Sequence, residues 1–275
     1  HLQQIFPKDD LDKKDIYLAT WEGYLSNTLY DKLFISLKNY YTHAITLDPE
    51  DYTERKYTHG LDESLATHMA LAFVHLNLEM NDNLFLQFWN KPNKTRHKEF
   101  VSFIGRSCLT RDQAGDEWLK ANNVSKEKLI SFWDWALKNV TDPEVLSGFG
   151  FWINPDKEIL EDTIVVEKIA QILKKSGGDI DWEHGLLSRL PNFAEKNPEM
   201  TIEIITNYLL DSHKNLNPHR QRGPLLYQSG IEEALKIIYK NGDAAIKQKV
   251  TDLINTLIEK GSSIFWELKG VINDQ

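Results

Sequence analysis

The sequence predicts an all-α protein, an α-solenoid-like, right-handed array of antiparallel helix pairs in two contiguous lobes. Three observations predict it. No stretch alternates apolar and polar residues with β-branched enrichment and hairpin turns, so strand signals are nearly absent. Apolar residues recur instead at helical spacing along most of the chain. The punctuation is also consistent, with capping residues before prolines at the starts and basic residues followed by glycine at the stops.

In order, helices are expected near 10–26, 29–47, 62–80, 82–90, 95–108, 112–122, 126–140, 143–151, 156–175, 182–195, 198–212, 230–241, 243–260 and 263–272. Asp142-Pro143, Asn154-Pro155 and Asn197-Pro198 each put a side-chain acceptor at the cap and a proline where no N–H is missed. Gly177-Gly178 after Lys174-Lys175, Asn241-Gly242 after Lys240, and Gly261 after Lys260 supply the stops. The two Asn-Pro starts at 154 and 197 lie 43 residues apart, within the range of HEAT-like repeats. Each opens an apolar helix, EILEDTIVVEKIAQIL and EMTIEIITNYLL. Each is followed by a second, with GLLSRL and IEEALKII as counterparts. The first lobe, 1–141, shows no such period and reads as an irregular helical array. The second, 142–275, reads as the helical-repeat lobe.

Composition narrows the function classes. With 275 residues, 41% hydrophobic and 27% charged, the chain reads as globular and soluble, and cytoplasmic. A net charge of -9, with neither half basic, argues against general nucleic-acid binding. Cys108 is the single cysteine, so no internal disulfide or cysteine-based zinc cluster can form. No run approaches the ~20 apolar residues of a membrane span. The start, HLQQIFPKDD, has neither an initiator Met nor a signal-peptide pattern and reads as a piece of a longer chain. No P-loop, dinucleotide fingerprint, zincin helix, nucleophile elbow or calcium loop occurs. Neither catalytic residue, cofactor nor metal is expected.

Five places hold chemistry worth weighing. The helix ESLATHMALAFVHLNLE, 63–79, is apolar nearly all round, and its one polar stripe carries His68, His75 and Glu79. His75 and Glu79, at i and i+4, are spaced to share a metal or a proton. His68 is roughly 10 Å from His75 along a straight helix, too far for the same ion. The plainer reading of the stripe is satisfied, partly solvated side chains. The segment DSHKNLNPHRQRGP gathers His213, Lys214, His219, Arg220 and Arg222, which suit a phosphate or an acidic partner surface. Its plainer reading is a solvated loop. KTRHK, 94–98, reads as the polar start of a helix. Cys108 reads as a small core residue, and Arg106 as a cap for its helix's C-terminal carbonyls.

The fifth place is SFWDWALKNVTDPEVLSGFGFWINPD, which packs three of the eight tryptophans and three phenylalanines into residues 132–153. Phe132 and Trp133 fall on a core face with Leu129, Ala136 and Val140, whereas Trp135 points elsewhere. Gly148 and Gly150 permit a bend close against neighbouring backbone. Phe149, Phe151 and Trp152 are therefore expected to fold back over Trp135 and weld the two lobes near 141–156. The alternative is an open aromatic platform for a partner, with Trp135 and Trp152 as contacts.

WEGYLSNTLYDKLFISLKNYYTHAI, LDESLATHMALAFVHL, EFVSFIGR and FWDWALKN…FGFWI resemble the helical-repeat C-terminal regions of large multidomain bacterial proteins. Some of these carry an NTPase or another effector domain upstream and are associated with antiphage defence. The resemblance covers roughly residues 15–210. It rests on hydrophobic helix texture and carries over no catalytic residue. It implies a region that senses, binds or holds a protein partner through stacked helices. The alternatives are a regulatory arm on an NTPase or nuclease domain of the same chain, or an enzyme built around His68, His75 and Glu79.

Overall fold

The structure, a computed structural model, describes residues 14–27, 29, 31–47, 60–76, 78–109, 125–153, 160–210, 228–260 and 264–273. Every element among the described residues is helical, so the all-α class holds. The chain divides into two compact units, His1–Lys128 and Leu129–Gln275. The division falls thirteen residues ahead of the expected boundary at 141.

In the first unit, α1 is Lys14–Leu25, α2 Asp31–Thr46, α3 Leu61–His75, α4 Asn83–Asn90 and α5 Lys94–Phe103, the last running on as a π-turn over Ile104–Cys108. Helix α3 is central, packing against α1, α2 and α5. Its all-round apolar surface requires this, and Leu65, Ala66, Met69, Ala70, Ala72, Phe73 and Val74 are all buried. Phe73, Phe85, Phe88, Trp89 and Phe100 form one cluster of ring contacts between α3, α4 and α5. Cys108 is buried, as a small core residue should be.

Helix α3 stops at His75, five residues before the expected end at 80. The amides of Leu76 and Leu78 both donate to the Ala72 carbonyl, and the Glu79 amide donates to Asp82 Oδ2. The helix is thus capped by a local turn that its apolar spacing does not reveal.

The second unit holds α6 (Lys126–Asn139, mostly within it), α7 (Pro143–Ser147) with a 3₁₀ turn over Gly148–Trp152, α8 (Asp162–Ser176), α9 (Glu183–Lys196), α10 (Pro198–Leu210), α11 (Gln228–Asn241), α12 (Ala244–Glu259) and α13 (Ile264–Asn273). From α8 onward each helix packs on the next and on the next but one. The expected caps are present where they are described. Asp142 Oδ1 accepts from the Glu144 amide at 2.9 Å, and Asn197 Oδ1 from the Met200 amide at 3.3 Å. Gly177 ends α8 at φ 64°, and the Gly178 amide closes the turn on the Leu173 carbonyl at 2.7 Å.

Asn154-Pro155, and the helix expected over 112–122, lie outside the described residues. The helix expected from 156 begins at Asp162, 36 residues before the start of α10 at Pro198.

The closest helix packing in this unit, between α9 and α11, has a backbone cause. Pro191 sits inside α9 and has no N–H to donate to the Leu187 carbonyl. Helix α11 crosses at that carbonyl through Gly230, where an added Cβ would stand 2.1 Å from Leu187 O.

Candidate functional site

The expected polar stripe of α3 does not assemble as a site. His68 is 0% exposed, not partly solvated. Its Nε2 lies 2.8 Å from the Asn27 carbonyl and its Nδ1 2.7 Å from the Tyr41 hydroxyl. A carbonyl only accepts, so in the neutral ring Nε2 carries the proton and the Tyr41 hydroxyl donates to Nδ1. The Tyr41 and Tyr24 hydroxyls stand 3.1 Å apart, extending the chain. Burial pushes the His68 imidazole below its ordinary range, outweighing the Asn27 and Leu25 carbonyls that favour its proton. Burial, and then the Tyr24 contact, push the Tyr41 hydroxyl up. Burial likewise raises Tyr24. Both nitrogens of His68 are therefore engaged in tying α3 to the end of α1 and to α2.

His75 is half-buried in the last turn of α3, and Glu79 lies beyond the helix end. The i, i+4 spacing that suggested a shared ion thus has no helix beneath it. Glu79 pairs instead with Lys128 at 3.0 Å, and the Lys128 ammonium stands 4.5 Å from the Phe73 ring centroid. Among the described residues no group of three or more His, Cys, Asp or Glu is placed to hold a metal ion. The basic segment with His213, Lys214, His219, Arg220 and Arg222 lies outside the described residues.

The described part of the aromatic stretch, 131–153, falls in the second unit. Gly150 makes the expected close approach, with an added Cβ 1.8 Å from the Asp181 carbonyl oxygen. The Asp181 amide donates to the Ser147 carbonyl at 2.9 Å, pinning the loop before α9 to the end of α7. Phe149 and Trp152 fold back, as expected, but onto the core face of α6. Phe149 stacks on Trp133 at 5.0 Å, and Trp152 lies 5.2 Å from Trp133 and 6.1 Å from Phe132. Trp152 is 2% exposed, which removes it from the candidate contacts. Trp135 stacks on Phe132 at 5.9 Å and stays half-buried. The turn has a core face to fill before it can reach the far side of α6, and Phe149 and Trp152 fill it.

Phe151 goes elsewhere. It stacks on Trp182 at 6.3 Å with planes 11° apart, and both rings are half-buried. Trp182 occupies the left-handed region at φ 53°, which costs a bulky residue on the order of 1–3 kcal/mol. Its ring lies against Gly185, where an added Cβ would stand 2.5 Å from it.

Two buried arginines were not singled out from the sequence. Arg96, read as part of a polar helix start, is 1% exposed. It donates to Asp62 Oδ1 at 2.5 Å, to the Ile45 carbonyl at 2.7 Å and to the Leu47 carbonyl at 2.9 Å. The end of α2, the start of α3 and α5 are thereby joined. Arg189, on α9, pairs with buried Asp162 at the start of α8, and Lys196 reaches the other Asp162 oxygen at 2.7 Å. A shared signal was present: each arginine lies four residues before a fully buried phenylalanine, Phe100 or Phe193, on that helix's apolar face. Arg106 pairs with Glu99 at 2.6 Å.

No family model, no curated protein and no solved structure matches the chain. No helix among the described residues is long and apolar enough to cross a membrane.

Proposed function

We propose that this chain is a recognition or scaffolding region that binds a protein partner through a surface of stacked helices. The observation that carries the reading is the Phe151–Trp182 pair. A tryptophan held at positive φ, braced by a parallel ring and by the close approach of Gly185, is a rigid half-buried aromatic surface. Rigid aromatics surrounded by packed neighbours are what binding hot spots are built from, because little side-chain entropy is lost when they are covered. Trp135, half-buried on Phe132, belongs to the same reading.

The neighbour and next-neighbour packing from α8 to α13 supports a solenoid-like arrangement, which lays successive helix faces side by side. The buried ionisable clusters add to this. Arg96 with Asp62, and Arg189 with Asp162, are engaged within the fold.

Gel filtration of an extract of the cells that make the protein tests the proposal. The wild-type chain is expected to elute in a complex larger than its own 31.9 kDa. The double substitution Trp135→Ala, Trp182→Gly is expected to elute as the chain alone, with its circular dichroism unchanged. Elution of the wild type by itself, or an identical complex from the variant, contradicts the reading.

A further inference from the structure

Helix α1 is attached to the first unit differently from the other helices. Its buried rings, Tyr17 and Trp21, belong to one ring cluster that also contains Tyr24, Phe34, Tyr41, His43 and His68. The second ring cluster, from Phe73 to Phe100, and the Arg96 clamp join α2, α3, α4 and α5 without it. The His68 imidazole stands where the first cluster meets the end of α1, and its Nε2 holds the Asn27 carbonyl across 41 residues of sequence.

Among the described residues, the groups facing that ring are neutral. Facing it from α1 are Tyr24 and the Leu25 and Asn27 carbonyls, and from α2 the Tyr41 hydroxyl. His43 of α2 packs edge-on against Tyr17, 5.2 Å between ring centroids. On α3 itself Asp62 pairs with Arg96 of α5, while Glu99 of α5 pairs with Arg106 of the π-turn. His97 of α5 stacks on Trp89 in the other cluster. Neither ring nitrogen of His68 is bonded to a carboxylate.

A protonated His68 can keep both its hydrogen bonds if the Tyr41 hydroxyl turns to accept one. The added charge is then met only by neutral dipoles in a site closed to water. The carbonyls at the end of α1 favour a cation, as a helix C-terminus does, but the loss of hydration outweighs them.

We propose that this contact is an acid-opened latch: protonation of His68 releases α1 from α2 and α3 while the rest of the first unit stays folded. The sign follows from the direction of burial's effect. A ring that binds its proton more weakly when closed than when open leaves the closed form at full strength above imidazole's ordinary value of 6.5. Below that value the opening equilibrium grows by up to tenfold per pH unit, until the closed ring itself protonates.

Hydrogen exchange of the whole chain, followed by mass spectrometry at pH 7.5, 6.5 and 5.5 with intrinsic rates corrected, tests the latch. Protection in peptides from 14–27 is expected to fall up to about tenfold between pH 7.5 and 5.5, most of it below 6.5, while peptides from 94–103 keep theirs. His43→Gln is expected to respond as the wild type does. His68→Gln, whose amide can donate to Asn27 and accept from Tyr41, is expected to lose the response. Equal loss in both segments, no loss in 14–27, or an unchanged response in His68→Gln overturns the proposal. If His68→Gln does not fold, an NMR titration of the wild-type ring decides. A His68 midpoint below 6.5 that tracks the loss of protection upholds the latch, and a midpoint at or above 6.5 overturns it.

Discussion

Arg96 shows how much one side chain can organise. Three of its donors are engaged by a carboxylate and two carbonyls that belong to the end of α2 and the start of α3. Arg96→Met should therefore destabilise the first unit by about 3–5 kcal/mol, because it takes one of two donors from half-buried Asp62 and leaves the Ile45 and Leu47 carbonyls without theirs. Urea denaturation of the single variant measures this, and Arg96→Met with Asp62→Leu should recover part of the loss. The tryptophans of the aromatic stretch divide by burial. Trp152→Ala should cost about 3–5 kcal/mol, the usual range for a fully buried ring, and Trp135→Ala clearly less. The helical wheel separated Trp133 from Trp135, since that depends only on spacing along α6. It could not say which rings of FGFW would meet which face, because that is settled by the direction of the 3₁₀ turn.

At the scale of elements, helix starts and stops were legible wherever a local cap decides them. Asp142, Asn197 and the Gly177-Gly178 pair act as their sequence suggests. Ends set by non-local or side-chain turns were not. Helix α3 stops at His75 because the following amides turn onto Ala72 and Asp82, and that early stop dissolves the His75–Glu79 pairing. The same limit applies to the crossing of α9 and α11. Pro191 was visible inside a helical pattern, but its partner Gly230 lies 39 residues away. Gly230→Ala should be destabilising even though alanine is the better helix former by about 1 kcal/mol, because its Cβ would meet the Leu187 carbonyl. A lowered melting temperature for Gly230→Ala is the expected outcome, and an unchanged or raised one would mean that the two helices separate at no cost.

For the whole molecule, composition and periodicity were enough to set the all-α class. The division into units was displaced, because sequence composition marks the Gly-rich turn at 148–150 as a joint while packing uses it as a core corner. Phe149 and Trp152 are drawn back onto Phe132 and Trp133, so the stretch becomes the first layer of the second unit. Of the stretch's rings, Trp135 and Phe151 stay half-buried, the latter stacked on Trp182. The proposal of a protein-binding surface rests on these rings. Its most direct test is photo-crosslinking in the cell from a benzoylphenylalanine placed at residue 135, compared with one at exposed Gln248 on α12. The proposal predicts a discrete protein adduct from position 135 that is absent at 248. No adduct from 135, or the same adducts from both positions, would contradict it.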